Sequence, residues 1–227
     1  SYSAMKTNKE YKNEALAALK GKWAPAIVAT IVAFVVAVIA ITPSQVMSIM
    51  AENTALDTEQ VYVILALWPV SMILMTFLYY PTMTVGYQNA IRSLVIQGDE
   101  NVTSNLFAHT FKGYWKNVWA CFLMVLFIFL WSLLLLIPGI VKGYAYMMTP
   151  FILKDNPELS ANEAINLSQK MMKGHKFDLF YLMLSFIGWA FLGIFTLGIG
   201  YLWLMPYTYA AFAAFYQDLK KEYLTNN

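Results

Sequence analysis

Long apolar runs without charge dominate this chain, and they restrict it to folds that can exist in lipid. Crossing a hydrocarbon core of ~30 Å takes about 20 mostly apolar helical residues. A backbone deprived of water must satisfy its own polar groups, which favours helices. Residues 24–42 and 61–89 hold no charged side chain, and the second run exceeds one span. Residues 118–137 form a third run. Beyond Pro138-Gly139, residues 140–153 form a fourth of about 14 residues, or ~21 Å of helix. A segment that short must tilt, break or thin the bilayer. Residues 179–197 and 201–216 make a fifth and sixth, separated by Gly198-Ile199-Gly200. The sequence therefore predicts an all-α, polytopic membrane protein of six transmembrane helices arranged as three hairpins.

Composition agrees. Of 227 residues, 59% are hydrophobic and 12% charged, where about 25% charge is usual. A disordered chain lacks the apolar residues, and a soluble globule needs more charge to cover itself. One Cys excludes an internal disulfide framework and a cysteine-cluster metal site. A net charge of +2 gives no reason to expect a nucleic-acid partner.

Orientation follows from Lys and Arg, which concentrate in cytoplasmic flanks and short loops. With six crossings and the amino terminus inside, 14 of the 15 basic residues are cytoplasmic and only Lys142 lies outside. The exterior loop after the first span carries Glu52, Asp57 and Glu59 without Lys or Arg. Both termini are then cytoplasmic. The first span follows a basic stretch, as in a secretory signal, but its apolar run is longer than the usual ~7 to 15 residues and five more runs follow. Residues 1–4, ahead of Met5, read as an expression scar.

Residues 1–23 read as an N-terminal cytoplasmic interfacial helix, 24–217 as the transmembrane domain and 218–227 as a cytoplasmic tail. Tyr11, Ala15, Ala18, Leu19 and Trp23 recur at helical spacing among lysines, as in a helix floating on the inner leaflet. A second flat helix is expected near 104–117, with Leu106, Phe107, Phe111, Tyr114, Trp115 and Val118 on its stripe. A third, near 160–174, has the sharpest local signal. Ser160 and Glu163 form a capping box, Ala161, Ala164, Ile165, Ser168, Met171 and Met172 mark one face, and Gly174 fits the terminating position.

The three return helices each pair a proline with an aromatic residue: Tyr80-Pro81, Pro150-Phe151 and Pro206-Tyr207. Proline removes a backbone donor, which lipid tolerates only where other groups satisfy the freed carbonyl. Broken helices around a cavity, as in transporters, would give that pattern; so would packing kinks in an ordinary bundle. Tyr144, Tyr146, Thr149, Pro150, Pro206, Tyr207 and Tyr209 are the candidate lining of a groove or cavity.

No ionisable residue falls at mid-depth, so an ion-coupling carboxylate or proton relay has no candidate. His109 and His175 are the two histidines, fewer than the three ligands metal catalysis needs. The chain has no HExxH, Gly-rich phosphate loop, GxSxG or paired-Cys motif. An enzyme is not expected, and no cofactor or metal is implied. Lys173, His175 and Lys176 are the candidate headgroup contacts, with positive-inside anchoring as the plainer reading. The methionine pairs Met72/Met75 and Met147/Met148, and Cys121, read as core packing.

From Asp155 the segments DNPELSANEAINLSQKMMKGHKFDLFYLMLSFIGW and TLGIGYLWLMPYTYAAFAAFYQDL resemble the bacterial integral-membrane family catalogued as domain of unknown function 975. Asp155, Pro157, Ser168, Gly174, His175, Gly198, Pro206 and Tyr216 are among the matching positions, and ALAALKGKW adds Leu19, Gly21 and Trp23. The resemblance implies a multi-pass protein of the bacterial cytoplasmic membrane and carries over no catalytic residue. The expected function is non-catalytic engagement of membrane lipids, of a membrane-protein partner or of a second copy of the chain. The alternative is a small permease or lipid transporter with a cavity between the kinked return helices.

Overall fold

The computed structural model of the chain describes residues 5–52, 58–134 and 136–226. Residues 1–4, expected to be an expression scar, and Asp57 of the expected exterior loop lie outside them. Among the described residues the protein is all-helical, with no strand. α1 spans Asn8–Leu19, α2 Trp23–Glu52 and α3 Thr58–Leu74. The chain continues through π-helical turns at Met75–Tyr79 and Thr82–Tyr87, the short α4 Gln88–Arg92, and a further π-helical turn at Ser93–Gln97. Then follow α5 Val102–Phe111, α6 Tyr114–Leu134, α7 Leu136–Tyr146, α8 Thr149–Asp155 and α9 Ala161–Met171. α10 Lys176–Leu184, α11 Ile187–Phe195 and α12 Tyr201–Asn226 complete it.

Four helical stretches among these residues are long and apolar enough to cross a membrane: Trp23–Val46, Val61–Gln97, Tyr114–Ser132 and Lys176–Phe195. Their outer faces are apolar as well, with Ile39, Leu65, Phe129 and Phe195 all exposed. A continuous apolar exterior of this kind is what a lipid-solvated surface shows and what water-solvated monomers avoid.

The fourth and sixth expected segments are built differently. The fourth breaks at Met147–Met148 into α7 and α8, and Pro150 sits in the first turn of α8, where its missing N–H costs no helical bond. α7 folds back on α6, with Tyr146 against Phe127 and the Lys142 ammonium over the Trp131 ring. The sixth is the start of the 26-residue α12, which includes Pro206 and runs on through Lys220, Lys221 and Glu222. The residues read as a tail thus continue the helix, and α12 is not among the four stretches apolar enough to span. Pro81 lies between two π-helical turns, a common way for a helix to absorb a kink.

Small residues set the packing distances. Ala26, Ala29, Ala33 and Ala40 line the inner face of α2 and are fully buried, which lets neighbouring backbones approach. α12 fills the centre, and its Ala210, Ala211, Phe215 and Tyr216 are buried against α1, α2 and α4.

The three helices expected to lie flat on lipid are partly absorbed into this core. α1 is capped by a Thr7–Glu10 capping box, but its stripe of Tyr11, Ala15 and Leu19 is covered by α12, with Tyr11 and Phe215 ring centroids 5.4 Å apart. In α9 the Ser160–Glu163 box forms as expected, and Gly174 takes the left-handed conformation (φ 95°) after the helix ends. Its apolar face packs on the protein, while Asn162, Glu163, Asn166 and Lys170 face outward. Lys142, the one cation assigned to the far side, donates to Gln169 of α9 at 2.8 Å, so α7 and α9 form one packed unit. The stripe expected near 104–117 is divided: Leu106 is buried with Val102 and Thr110 on the inner face of α5, Phe107 and Phe111 stack outside, and Tyr114, Trp115 and Val118 fall in α6.

Candidate functional site

Where α4, α8 and α12 meet, the fold buries a cluster of charges that an apolar bundle has little reason to contain. Arg92 ends α4, Asp155 ends α8, and Tyr216 and Lys220 lie one turn apart on α12. The Arg92 guanidinium donates to both Asp155 oxygens, at 2.6 and 2.9 Å, the two-pronged geometry that gives such pairs their strength. Lys220 Nζ donates to Asp155 Oδ2 at 2.6 Å and the Tyr216 hydroxyl donates to the same oxygen at 3.0 Å. The guanidinium also lies over the Tyr216 ring, 5.1 Å from its centroid. Burial works to raise the Asp155 pKa, but the bonds and charges of Arg92 and Lys220 outweigh it and hold the carboxyl below its ordinary value.

A second layer adjoins this clamp. Lys154 Nζ donates to Ser93 Oγ at 2.5 Å and to the Asn89 carbonyl at 3.3 Å. Burial, with the nearby Arg92 charge, pushes the Lys154 ammonium down to about 8. Burial, with the charges of Lys154, Lys112 and Arg92, pushes the His109 imidazole down to about 4, so it is neutral at pH 7. Ser93 Oγ and His109 Nε2 are 3.4 Å apart.

These groups open onto a cleft of about 530 Å³ lined by His109, Lys112, Lys116, Asn117 and Lys154, with Val85, Leu153 and Pro157 as its apolar wall. The α5–α6 turn beside it is rigid, because the Asn117 amide donates to the carbonyls of His109, Thr110 and Lys112, each at 3.1 Å.

The headgroup residues expected from sequence fall elsewhere. Lys173 and His175 share a cleft of about 450 Å³ with Lys170 and Glu222, and Lys176 opens α10 beside it. His175 spends both ring nitrogens on carboxylates, Nδ1 with Asp178 at 3.0 Å and Nε2 with Glu222 at 3.2 Å. The expected cavity lining is largely packed. Tyr144 meets Phe180, Tyr146 meets Phe127 and Tyr209 meets Tyr87, ring against ring. Thr149, Pro150 and Pro206 are buried, and the Pro150 carbonyl accepts from Asn89 Nδ2 at 3.0 Å. Tyr207 packs on Phe186 and reaches an apolar groove of about 340 Å³ with Trp23, Trp189 and Trp203.

Fold and site together define an all-helical chain with apolar helices fit to cross a membrane and a charge cluster joining three of its helices. Residues 133–223 match the family described as Protein of unknown function (DUF975). The matched region supplies Lys154, Asp155, Tyr216 and Lys220; Arg92 and His109 come from the part before it. No curated protein and no solved structure matches the chain.

Proposed function

We propose that the protein is a non-catalytic, multi-pass component of the bacterial cytoplasmic membrane that engages anionic lipids at its basic end. The observation that carries this reading is the outer corner of α5 and α6. Phe107, Phe111, Trp115 and Trp119 are exposed there, with Lys112 and Lys116 interleaved. Aromatic rings at headgroup depth with lysines reaching for phosphate are the usual furniture of a membrane–water boundary.

In this reading the chain crosses six times, with the α7–α8 segment as a short, broken return, and both termini are cytoplasmic. The contact between the chain ends supports a shared side: Lys6 Nζ lies 3.1 Å from Asp218 Oδ1, beside the Tyr11–Phe215 pair. The sequence resemblance supports a bacterial membrane.

Native mass spectrometry of protein extracted in mild detergent tests the proposal. Retained phosphatidylglycerol in preference to zwitterionic lipid is the expected result. Retention of a small solute without lipid preference would favour a permease, and a stoichiometric second protein would favour a partner-binding role; either would overturn the lipid reading.

A further inference from the structure

Resting on that lipid reading, we propose that the cleft between α5, α6 and α8 is a phosphate site that holds the headgroup of an anionic phospholipid. Charge balance points there. Lys112, Lys116 and Lys154 converge on the cleft, and among the described residues no Asp or Glu lines it. The carboxylates near these cations are committed to other partners: Asp155 to Arg92 and Lys220, Asp99 to Asn101 and Asn105, and Glu163 to the Ser160 cap.

The cations are also held in place. Lys154 is anchored by Ser93 and the Asn89 carbonyl, Lys116 donates to the Pro157 carbonyl, and Asn117 locks the turn that presents Lys112. Among the described residues Lys112 forms no ion pair, and its side chain is exposed at the mouth. A volume of about 530 Å³ lies within the usual range of small-ligand sites, roughly 300–1,000 Å³. The wall of Val85, Leu153 and Pro157 suits a glycerol backbone, and exposed Phe111 and Trp115 at the α5–α6 corner mark the depth at which a lipid phosphate sits. Lysine serves phosphate as a point charge without needing the planar match that arginine gives.

The test is a titration of the purified, detergent-solubilised chain with phosphatidylglycerol or phosphatidylcholine, read by native mass spectrometry. Replacing both mouth lysines (K112Q with K116Q) should weaken phosphatidylglycerol binding about tenfold or more and leave phosphatidylcholine unaffected. The pair K173Q with K176Q should change neither by more than about twofold. If the double variant does not fold, Lys112→Gln alone, at an exposed side chain without an ion pair, should still cost roughly threefold to fivefold. Unchanged phosphatidylglycerol affinity in the mouth-lysine variants overturns the site while sparing the lipid reading. Absence of any phosphatidylglycerol preference in the unaltered chain overturns both. Displacement of the lipid by inorganic phosphate or glycerol 3-phosphate at equal concentration would identify a soluble phosphate as the ligand and overturn the assignment to lipid.

Discussion

Replacing Asp155 by Ala lowers the unfolding free energy by about 3–5 kcal/mol, the usual cost of stranding a buried charge whose partner is removed. Arg92 and Asp155 side chains are only 11% and 12% exposed, so water cannot compensate the orphaned guanidinium. Lys220, more exposed at 38%, turns to solvent and contributes little to the loss. The Arg92 Nε already has no hydrogen-bond partner and is buried, which makes the bidentate pair the main compensation for this charge. Thermal unfolding in detergent should shift by on the order of 10 °C. A double replacement, Arg92→Met with Asp155→Leu, should recover much of the loss, because removing both charges leaves neither stranded.

The same clamp sets an acid dependence. The folded Asp155 carboxyl titrates below its unfolded value. Its stabilisation is therefore complete above the ordinary carboxylate pKa of ~3.9 and is lost as pH falls through the lower folded value. Asp155→Asn should remove that part of the acid transition, visible as a flatter stability profile below about pH 4.

Gly86→Val is the second large effect. A Cβ at Gly86 would fall 2.6 Å from the Leu106 carbonyl oxygen and would also collide with Thr110 Oγ1. Neither can move away, since Thr110 is buried and its hydroxyl donates to the same Leu106 carbonyl at 2.8 Å. The substitution must separate α5 from the π-helical turn it rests on, at a cost of about 1–3 kcal/mol or more. Gly188→Ala is the matched control. A Cβ there meets nothing, so the helix gains up to ~1 kcal/mol of propensity and the melting temperature should hold or rise. Both are read by thermal unfolding of the detergent-purified variants.

What could be read from the sequence was what depends on neighbours along the chain. The Ser160–Glu163 box needs residues three apart, and uncharged runs such as 24–42 announce their solvent directly. The clamp was invisible because its partners are 63 and 65 residues apart, and each taken alone looked like one more charge near the membrane boundary. The α1 stripe was legible as a stripe, but spacing says only that Tyr11, Ala15 and Leu19 face one way. What covers them is decided by α12, whose helix runs past residue 217 because its lower charges find partners in Asp155 and Lys6. At His175 the sequence shows the basic neighbours Lys173 and Lys176, while its carboxylate partners Asp178 and Glu222 are supplied by the fold.

On the proposed topology the chain traverses a bilayer and returns both ends to one side. Single-cysteine reporters at Lys9, Ile199 and Leu224, three exposed positions, test it in a Cys121→Ala background with a membrane-impermeant maleimide on intact cells. Labelling is expected at residue 199 without permeabilisation, and at 9 and 224 only after it. Reporters 9 and 224 on opposite faces, or 199 on the same face as both, would contradict it.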